Sequence, residues 1–160
     1  MRREEILMEI FRLQAKDFEK WREEILVLFE EAIAHNFPDN VVDEAFYQKK
    51  CEELQHYLIE DKAVVLLAAE EYRLAGWIWC HEIQRFDVRR FHIAYFSVLP
   101  AWRKRGIGKE LLSSADAYAK KRNMEGIDLL VTASNVDAVN FYKHLGFEEE
   151  RYLLVKPLTD

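Results

Sequence analysis

The sequence predicts an α/β protein with a central mixed β-sheet of about six to seven strands and about four flanking helices. Apolar residues recur every second position in some segments and with a period of 3.6 in others. These segments follow one another in the order β-α-α-β-β-β-α-β-α-β, which is typical of a mixed sheet covered by helices. Half of the 160 residues are apolar, and no Gly/Ser-rich linker or repeat interrupts them, so we expect one domain over 1–160.

The first half of the chain carries a strand, two helices and three further strands. The first strand is predicted over 5–13. Asp17 is then placed to cap a helix whose apolar side chains repeat every 3.6 residues until the chain approaches Pro38. A second helix is predicted over 41–59. The strand patterns that follow cover 63–70, 72–83 and 90–98.

The second half adds a helix at 108–122, a strand at 127–133, a helix at 136–145 and a last strand or hairpin at 147–156. Strand 90–98, the helix after it and strand 127–133 make a βαβ unit, whose crossover we expect to be right-handed. Parallel strands open onto crevices at their carboxyl ends, and helix N-termini present free N–H groups. We therefore expect a ligand where strand 90–98 ends.

Composition limits the class of protein. The net charge is −6, from 29 acidic against 23 basic residues, which argues against nucleic acid and weakly for a cationic partner. Cys51 and Cys80 form no CxxC pair, so we expect reduced, partly buried thiols and no metal site. The longest apolar run, 63–69, is too short to span a membrane. The N-terminus turns acidic before any apolar stretch can form, which argues against a signal peptide and for a cytoplasmic protein.

A basic glycine-rich turn from Arg103 to Lys109 comes directly before the helix at 108–122. Gly106 and Gly108 permit close backbone approaches, and consecutive N–H groups together with the helix dipole favour an anion such as pyrophosphate. Arg103, Arg105 and Lys109 add positive charge. Taken alone, the segment is also compatible with a solvated basic turn that uses its glycines only for capping.

Two other phosphate-binding motifs fit this turn less well. A Walker A loop needs Ser or Thr after Gly-Lys, but Glu110 follows Lys109, and the position of its first glycine is taken by Arg103. A dinucleotide fingerprint needs a third glycine, where this chain has Leu111.

A second motif lies farther along the chain and gives the turn a context. The pattern Arg-x-x-Gly-x-Gly follows an apolar strand and Pro100, and it is followed by Asn135-x-x-Ala138-x-x-Phe141-Tyr142-x-x-x-Gly146-Phe147. Together the two motifs resemble the GNAT superfamily of N-acetyltransferases. The resemblance is specific over about 90–152, and the order of helices and strands extends it loosely over the whole chain.

The resemblance implies a fold of the GNAT type and the use of acetyl-coenzyme A as acetyl donor. Backbone amides of the glycine turn would hold its pyrophosphate, and the pantetheine arm would pair with strand 90–98 where it diverges from strand 127–133. Asn135 would hydrogen-bond this arm or the nearby backbone, and Tyr142 would stand beside the sulfur. The cofactor-site residues that it implies are Phe96, Val98, Arg103, Lys104, Arg105, Gly106, Ile107, Gly108, Lys109, Asn135 and Tyr142.

Acetyl transfer requires a neutral amine, a polarised thioester carbonyl and a proton for the leaving thiolate. The resemblance assigns the carbonyl to the N–H of Val98 and the proton to Tyr142. For the base we favour His92, because strand alternation predicts that it shares a face with Ala94, Phe96 and Val98. Glu82 is the second candidate. A histidine with no proton role is an open alternative.

The acceptor is least determined by the sequence. By resemblance, its site is bordered by the loop 35–40 and the terminal strands. A small cationic amine, such as a polyamine or aminosugar, is the leading candidate, followed by a protein α-amino group or lysine. Trp77, Trp79, Phe91 and Tyr95 could line an aromatic slot for it or belong to the core. The alternative from another class of protein is a domain that binds acyl-coenzyme A as a sensor, without turnover. A homodimer is compatible with each of these functions.

Overall fold

The structure, a computed structural model, describes residues 8–158 and contains two compact units, Met1–Leu130 and Val131–Asp160. Among the described residues, the first unit holds a five-stranded sheet and three α-helices, and the second holds a fourth α-helix. The expectation of one domain over 1–160 stays a prediction. None of the helices in the described part has the length and apolar character of a membrane span.

The sheet is mixed, as the sequence predicts, with its strands side by side in chain order. The first four strands pair antiparallel, and the last pairs parallel to its neighbour, which confirms the predicted βαβ unit. The strands are β1 (Glu9–Arg12), β2 (Ala63–Glu70), β3 (Arg73–Arg85), β4 (Val88–Val98) and β5 (Gly126–Asp128).

The strand count is the first correction: residues 8–158 contain five strands where the sequence suggested six to seven. The strand expected over 127–133 ends at Asp128, and the segment 147–156 forms no strand. An extended segment becomes a strand only when a neighbour's backbone pairs with it, and these residues have no such partner within the described chain. Residues 5–7 of the predicted first strand lie outside the described part.

The four α-helices agree with the predicted ones to within about three residues at each end. They are α1 (Phe18–Asn36), α2 (Glu44–Ile59), α3 (Ile107–Lys121) and α4 (Val136–His144). Asp17 stands at the N-cap of α1 as predicted, but its side chain accepts no capping hydrogen bond. Asp43 does cap α2, because its carboxylate accepts the N–H of Phe46 at 2.9 Å.

An aromatic core lies between the sheet and the first two helices. The ring of Phe29 in α1 meets Trp77 edge-on at 4.8 Å between centroids and Tyr95 at 4.9 Å. Trp77 and Trp79 are buried to 0% and 2% exposure. These tryptophans therefore belong to the core, and they do not line an aromatic slot for an acceptor.

Helix α3 covers the opposite face of the sheet with Leu111 and Ala115, both fully buried. Phe91 of β4 is fully buried and pairs with Glu82, one position away from the pair of His81 with His92.

Every residue of β2 from 63 to 69 is buried, which explains the unbroken apolar run in its sequence. Both cysteines are free and fully buried, deeper than the sequence suggested.

A β-bulge interrupts the pairing of β3 with β4. Trp79 pairs with Tyr95, but the next residue of β3, Cys80, pairs with Ile93, so Ala94 is an extra residue in β4. An extra residue reverses the alternation of side chains on either side of it.

The bulge places His92 and Phe96 on opposite faces of β4. His92 pairs with His81, on the face that carries Trp79 and Tyr95, whereas Phe96 pairs with Ile78 on the α3 side. Val98 is two residues from Phe96 and shares its face. The prediction that His92 shares a face with Phe96 and Val98 is therefore wrong, because strict alternation does not hold through Ala94.

The backbones of β3 and β4 approach each other closely at Gly76. A Cβ atom at this position would lie 2.7 Å from the backbone oxygen of Ser97 and 3.2 Å from the Cα of Val98. Neither neighbour is the flexible end of a side chain, so only glycine fits without moving the end of β4.

Candidate active site

Helix α3 begins with an uncapped row of amides. Its N-cap, Gly106, has φ 78° and ψ 5°, a left-handed conformation that glycine adopts without strain. No side chain in residues 8–158 caps the helix. The backbone N–H groups of Ile107, Gly108 and Lys109 lie in the first turn, where an α-helix has no preceding carbonyl groups to accept their hydrogen bonds. The side chain of Ile107 is buried and anchors the turn in the core. The turn predicted to hold a phosphate group thus presents several backbone donors.

The positive charges around this turn are not equally available. The guanidinium of Arg103 donates to the backbone oxygen of Val98 at 3.0 Å and also to the carboxylate of Glu31 in α1. Its charge is largely offset by that carboxylate, so the full positive charge expected from Arg103 is not free for an anion. The guanidinium of Arg105 lies over the ring of Trp102, 5.1 Å from its centroid.

The outer edge of β4 is open beyond its first few residues. Strand β5 pairs with β4 only at Arg90, Phe91 and His92, and no other strand in the described chain pairs with that edge. The N–H of Leu99 donates to the oxygen of Ala75 at 2.8 Å, which makes Gly76–Val98 a non-hydrogen-bonded pair. The N–H of Val98 therefore points away from β3, toward the open edge.

The second unit carries the other motif, with Asn135 and Tyr142 on α4. The side-chain oxygen of Asn135 caps the helix by accepting the N–H of Ala138 at 3.2 Å, while its side-chain nitrogen is buried with no hydrogen-bond partner among the described residues. The ring of Tyr142 is half-buried and meets the rings of Phe141 and Phe147, each at 5.4 Å between centroids.

Three polar residues lie side by side across the sheet. His81 of β3 is the register partner of His92 in β4, which is in turn the partner of Asp128 in β5. Nδ1 of His92 lies 2.6 Å from Oδ1 of Asp128, and the two imidazole rings are 5.4 Å apart. A guanidinium nitrogen of Arg90 is 3.6 Å from the other oxygen of Asp128.

His81 is held in a setting that disfavours its charged form. Burial lowers its pKa, the neighbouring His92 lowers it further, and the charges of Asp128 and Glu53 oppose this shift. Its Nδ1 atom is buried without a hydrogen-bond partner in the described chain. His81 is therefore neutral at neutral pH.

Glu82, the second candidate base, is occupied elsewhere. One carboxylate oxygen accepts from Arg89 at 3.1 Å and the other from Arg122 at 3.2 Å. Glu82 pairs with Phe91 on the α3 face, away from His92. Both carboxylate oxygens of Glu82 are therefore engaged by guanidinium groups, and neither faces the site around His92.

His81 and Asp128 were not identified from the sequence. A signal for His81 exists, because a two-residue connection at Phe86–Asp87 joins Arg85 to Val88 and sets the pairing of His81 with His92. No comparable signal identifies Asp128, since the register of a parallel strand that follows a helix is not fixed by a turn.

Comparison with known proteins identifies relatives for most of the chain. Residues 9–147 match the model of the acetyltransferase (GNAT) family. An uncharacterized N-acetyltransferase of Methanocaldococcus jannaschii is 42% identical over 72 residues, 45% of this chain. An N-alpha-acetyltransferase of Sulfurisphaera tokodaii is 40% identical over 67 residues, 41% of this chain. The aligned segments span 31% and 40% of the length of these two relatives.

Solved structures extend the similarity in fold to nearly the whole chain. A putative acetyl transferase from Pyrococcus furiosus has a TM-score of 0.74 at 27% identity, covering 95% of this chain and 100% of that one. A protein from Clostridium acetobutylicum, named a predicted acetyltransferase and solved with acetyl-CoA, gives a TM-score of 0.76 at 17% identity, covering 94% of this chain and 96% of that one. An aminoglycoside acetyltransferase from a soil metagenomic sample gives 0.72 at 22% identity, covering 95% and 97%.

Proposed function

The chain belongs to the acetyltransferase (GNAT) family, and on that premise we propose that it is an N-acetyltransferase acting on a small cationic amine. It moves an acetyl group from acetyl-CoA to the primary amine by direct attack in a ternary complex. The observation that carries this proposal is the open edge of β4, which leads through a short connection to the uncapped N-terminus of α3. The family match crosses both units, which supports one acetyltransferase domain over 1–160.

The donor binds through backbone groups more than through side-chain charge. Amides between Arg103 and Lys109, including those of Lys104, Arg105, Gly106, Ile107 and Gly108, receive the pyrophosphate. The pantetheine arm lies along β4 at Phe96 and Val98 in the manner of an added strand, because a strand edge offers unpaired N–H and C=O groups. The side-chain nitrogen of Asn135, which is buried without a hydrogen-bond partner among the described residues, is a donor suited to an amide oxygen of this arm.

The reaction needs two proton transfers. The amine nitrogen attacks the thioester carbonyl carbon, the carbon–sulfur bond breaks, and the displaced thiolate takes a proton from the hydroxyl of Tyr142. The proton lost by the amine passes to His92 through water, because His92 lies six positions before Val98 in β4 and cannot contact the amine directly. The N–H of Val98 donates to the carbonyl oxygen, where negative charge develops in the transition state.

The acceptor proposal rests on charge and on the names of similar proteins. The net charge of −6 favours cationic amines over anionic ones. A structural neighbour named as an aminoglycoside acetyltransferase supports an aminosugar. The relative named as an N-alpha-acetyltransferase favours a protein α-amino group as the second candidate. Lysine acetylation and an acyl-CoA sensor without turnover complete the alternatives.

Steady release of the thiol from acetyl-CoA across a panel of amines tests this proposal. The panel contains a polyamine, an aminosugar, a peptide with a free α-amino group and the same peptide blocked there but carrying lysine. We expect amine-dependent release to be fastest with a small cationic amine. Faster release with the free α-amino peptide would replace the acceptor proposal. Binding of acetyl-CoA in calorimetry without amine-dependent release would establish the sensor instead.

The variant Gly108→Val tests the donor site in the same assay. A side chain at this helix position blocks the close approach of a phosphate to the backbone, so we expect weaker coenzyme A binding in a folded protein. Unchanged affinity in calorimetry would show that the pyrophosphate binds elsewhere.

A further inference from the structure

We infer that Asp128 is a positioning residue for His92. It holds the imidazole in the tautomer whose Nε2 atom carries no hydrogen and can accept the proton lost by the amine. The inference rests on the proposed transfer reaction and adds a residue to it. Asp128 acts through His92, with no contact of its own to the reacting atoms.

The hydrogen bond between the two side chains fixes the tautomer. Nδ1 of His92 and Oδ1 of Asp128 are 2.6 Å apart. An ionised carboxylate is an acceptor only, so Nδ1 must carry the hydrogen, and a neutral imidazole then has its lone pair on Nε2. Arg90 lies 3.6 Å from Oδ2, which orients the carboxylate and leaves Oδ1 for His92. When His92 takes up a proton, the adjacent carboxylate stabilises the imidazolium.

The backbone places this pair at the fork of the sheet. His92 and Asp128 are register partners in the parallel ladder, and theirs is the last pair before β4 and β5 part. The two side chains are therefore positioned by strands, whose geometry is more rigid than that of loops. The open edge of β4, along which the donor is proposed to bind, begins at the next residue, Ile93.

The charged and titratable neighbours of His92 are compatible with this role. His81 lies beside His92 on β3, Asp128 lies beside it on β5, and Arg90 is on the same strand as His92. The charge of Glu53 in α2 raises the pKa of His81. Burial, together with the charge of His92, lowers the pKa of His81 and keeps it neutral. Protonation of His92 therefore does not place two imidazolium ions side by side.

The variant Asp128→Asn tests the inference by kinetics. It preserves the size of the side chain and removes the charge that selects the tautomer. We expect kcat/KM for the best amine to fall by about 10²-fold or more, with an unchanged dissociation constant for acetyl-CoA. The matched control is Asp116→Asn, which removes the same charge from the exposed face of α3 and should leave kcat/KM unchanged.

A double variant separates positioning from general structural damage. If Asp128 acts only through His92, adding Asp128→Asn to His92→Ala should cost no further activity, whereas independent effects would multiply. Asp128→Glu, which restores the carboxylate, should recover part of the lost rate. Multiplying losses, or equal losses in the Asn and Glu variants, would overturn the inference.

Nuclear magnetic resonance of histidine-labelled protein provides a readout that does not depend on turnover. In the wild-type protein we expect the ring nitrogens of neutral His92 to show the hydrogen on Nδ1, and this preference to be lost in Asp128→Asn. Hydrogen on Nε2 in the wild-type protein would overturn the inference even if acetyl transfer is observed. Absence of transfer with the expected tautomer would instead refute the proposed function while the His92–Asp128 pairing stands.

Discussion

Trp79 and Tyr95 stack across neighbouring strands with ring centroids 5.4 Å apart, yet the next residue of β3, Cys80, pairs with Ile93 and skips Ala94. The skipped residue puts His92 on the face that carries Tyr95 and turns Phe96 to the other. In the proposed reaction, His92 is the proton acceptor on that face. The donor, in this proposal, uses the strand's edge, so the two substrates need not compete for one surface.

The left-handed backbone of Gly106 gives the first prediction. Gly106→Ala should lower the free energy of unfolding by about 1–2 kcal/mol, because φ is +78° and an L side chain is strained there. Gly126→Ala is the matched control: it has no positive φ, and its new Cβ would lie 3.9 Å from the nearest atom. Urea unfolding of both variants measures the difference, and equal stabilities would contradict the strain argument.

The hydroxyl of Tyr142 gives the second prediction. Tyr142→Phe keeps the ring contacts with Phe141 and Phe147 and removes only the group proposed to protonate the thiolate. Loss of a positioned acid typically costs about 10²–10⁴ in rate, so kcat should fall while coenzyme A affinity and the thermal midpoint change little. Phe141→Leu, which alters packing instead, should mainly lower the midpoint. A kcat near that of the wild type in Tyr142→Phe would remove the acid assignment.

The two thiols give the third prediction. Burial raises the pKa of Cys51 to about 11 and that of Cys80 to about 12, so neither forms the reactive thiolate at pH 8. A disulfide reagent should therefore label no thiol in the native protein and two after denaturation. Labelling of Cys51 or Cys80 in the native state, faster than global unfolding, would reveal local opening of the core.

The pKa of His81 gives the fourth prediction. Burial lowers the pKa of His81 in the folded chain below the value of about 6.5 that this side chain has in the unfolded chain. Between these two pKa values, the unfolded chain binds more protons at His81 than the folded chain does. The free energy of unfolding should therefore decrease as the pH falls from about 6.5 through the lower, folded pKa, and His81 contributes no such change above that range.

Denaturation at pH 7 and pH 5 measures this dependence. His81→Gln should lose less stability across the interval than the wild-type protein. His35→Gln, at an exposed position of α1, is the control for replacing a histidine with glutamine. Identical pH dependence in His81→Gln and the wild-type protein would show that this ring does not contribute.

The elements best predicted from the sequence are those whose buried side chains produce a regular pattern of apolar residues along the chain. Strand β2 was predicted at its observed bounds, 63–70, because both of its faces are covered and its apolar run is continuous. Helix α3 was predicted to within one residue, since its apolar stripe and the glycine turn mark its start.

The features that were missed depend on contacts between distant positions. The bulge at Ala94 cannot be recognised in the sequence pattern, because Ile93, Ala94 and Tyr95 can lie on either face of a strand. The ion pair of Arg103 with Glu31 joins residues 72 positions apart. The partner of His92 follows from the parallel register of β5, which only the packed sheet determines.

The close approach of β3 and β4 at Gly76 has a consequence for interpreting mutational screens. Any other residue would push against the backbone of Ser97, and that backbone leads into the end of β4 where the donor is proposed to bind. A screen that scores turnover alone would rank position 76 with the reactive side chains, although glycine has none. Scoring the amount of folded protein in parallel would separate the two kinds of intolerance: substitutions at Gly76 would deplete the protein itself, whereas those at His92 would leave it abundant and inactive.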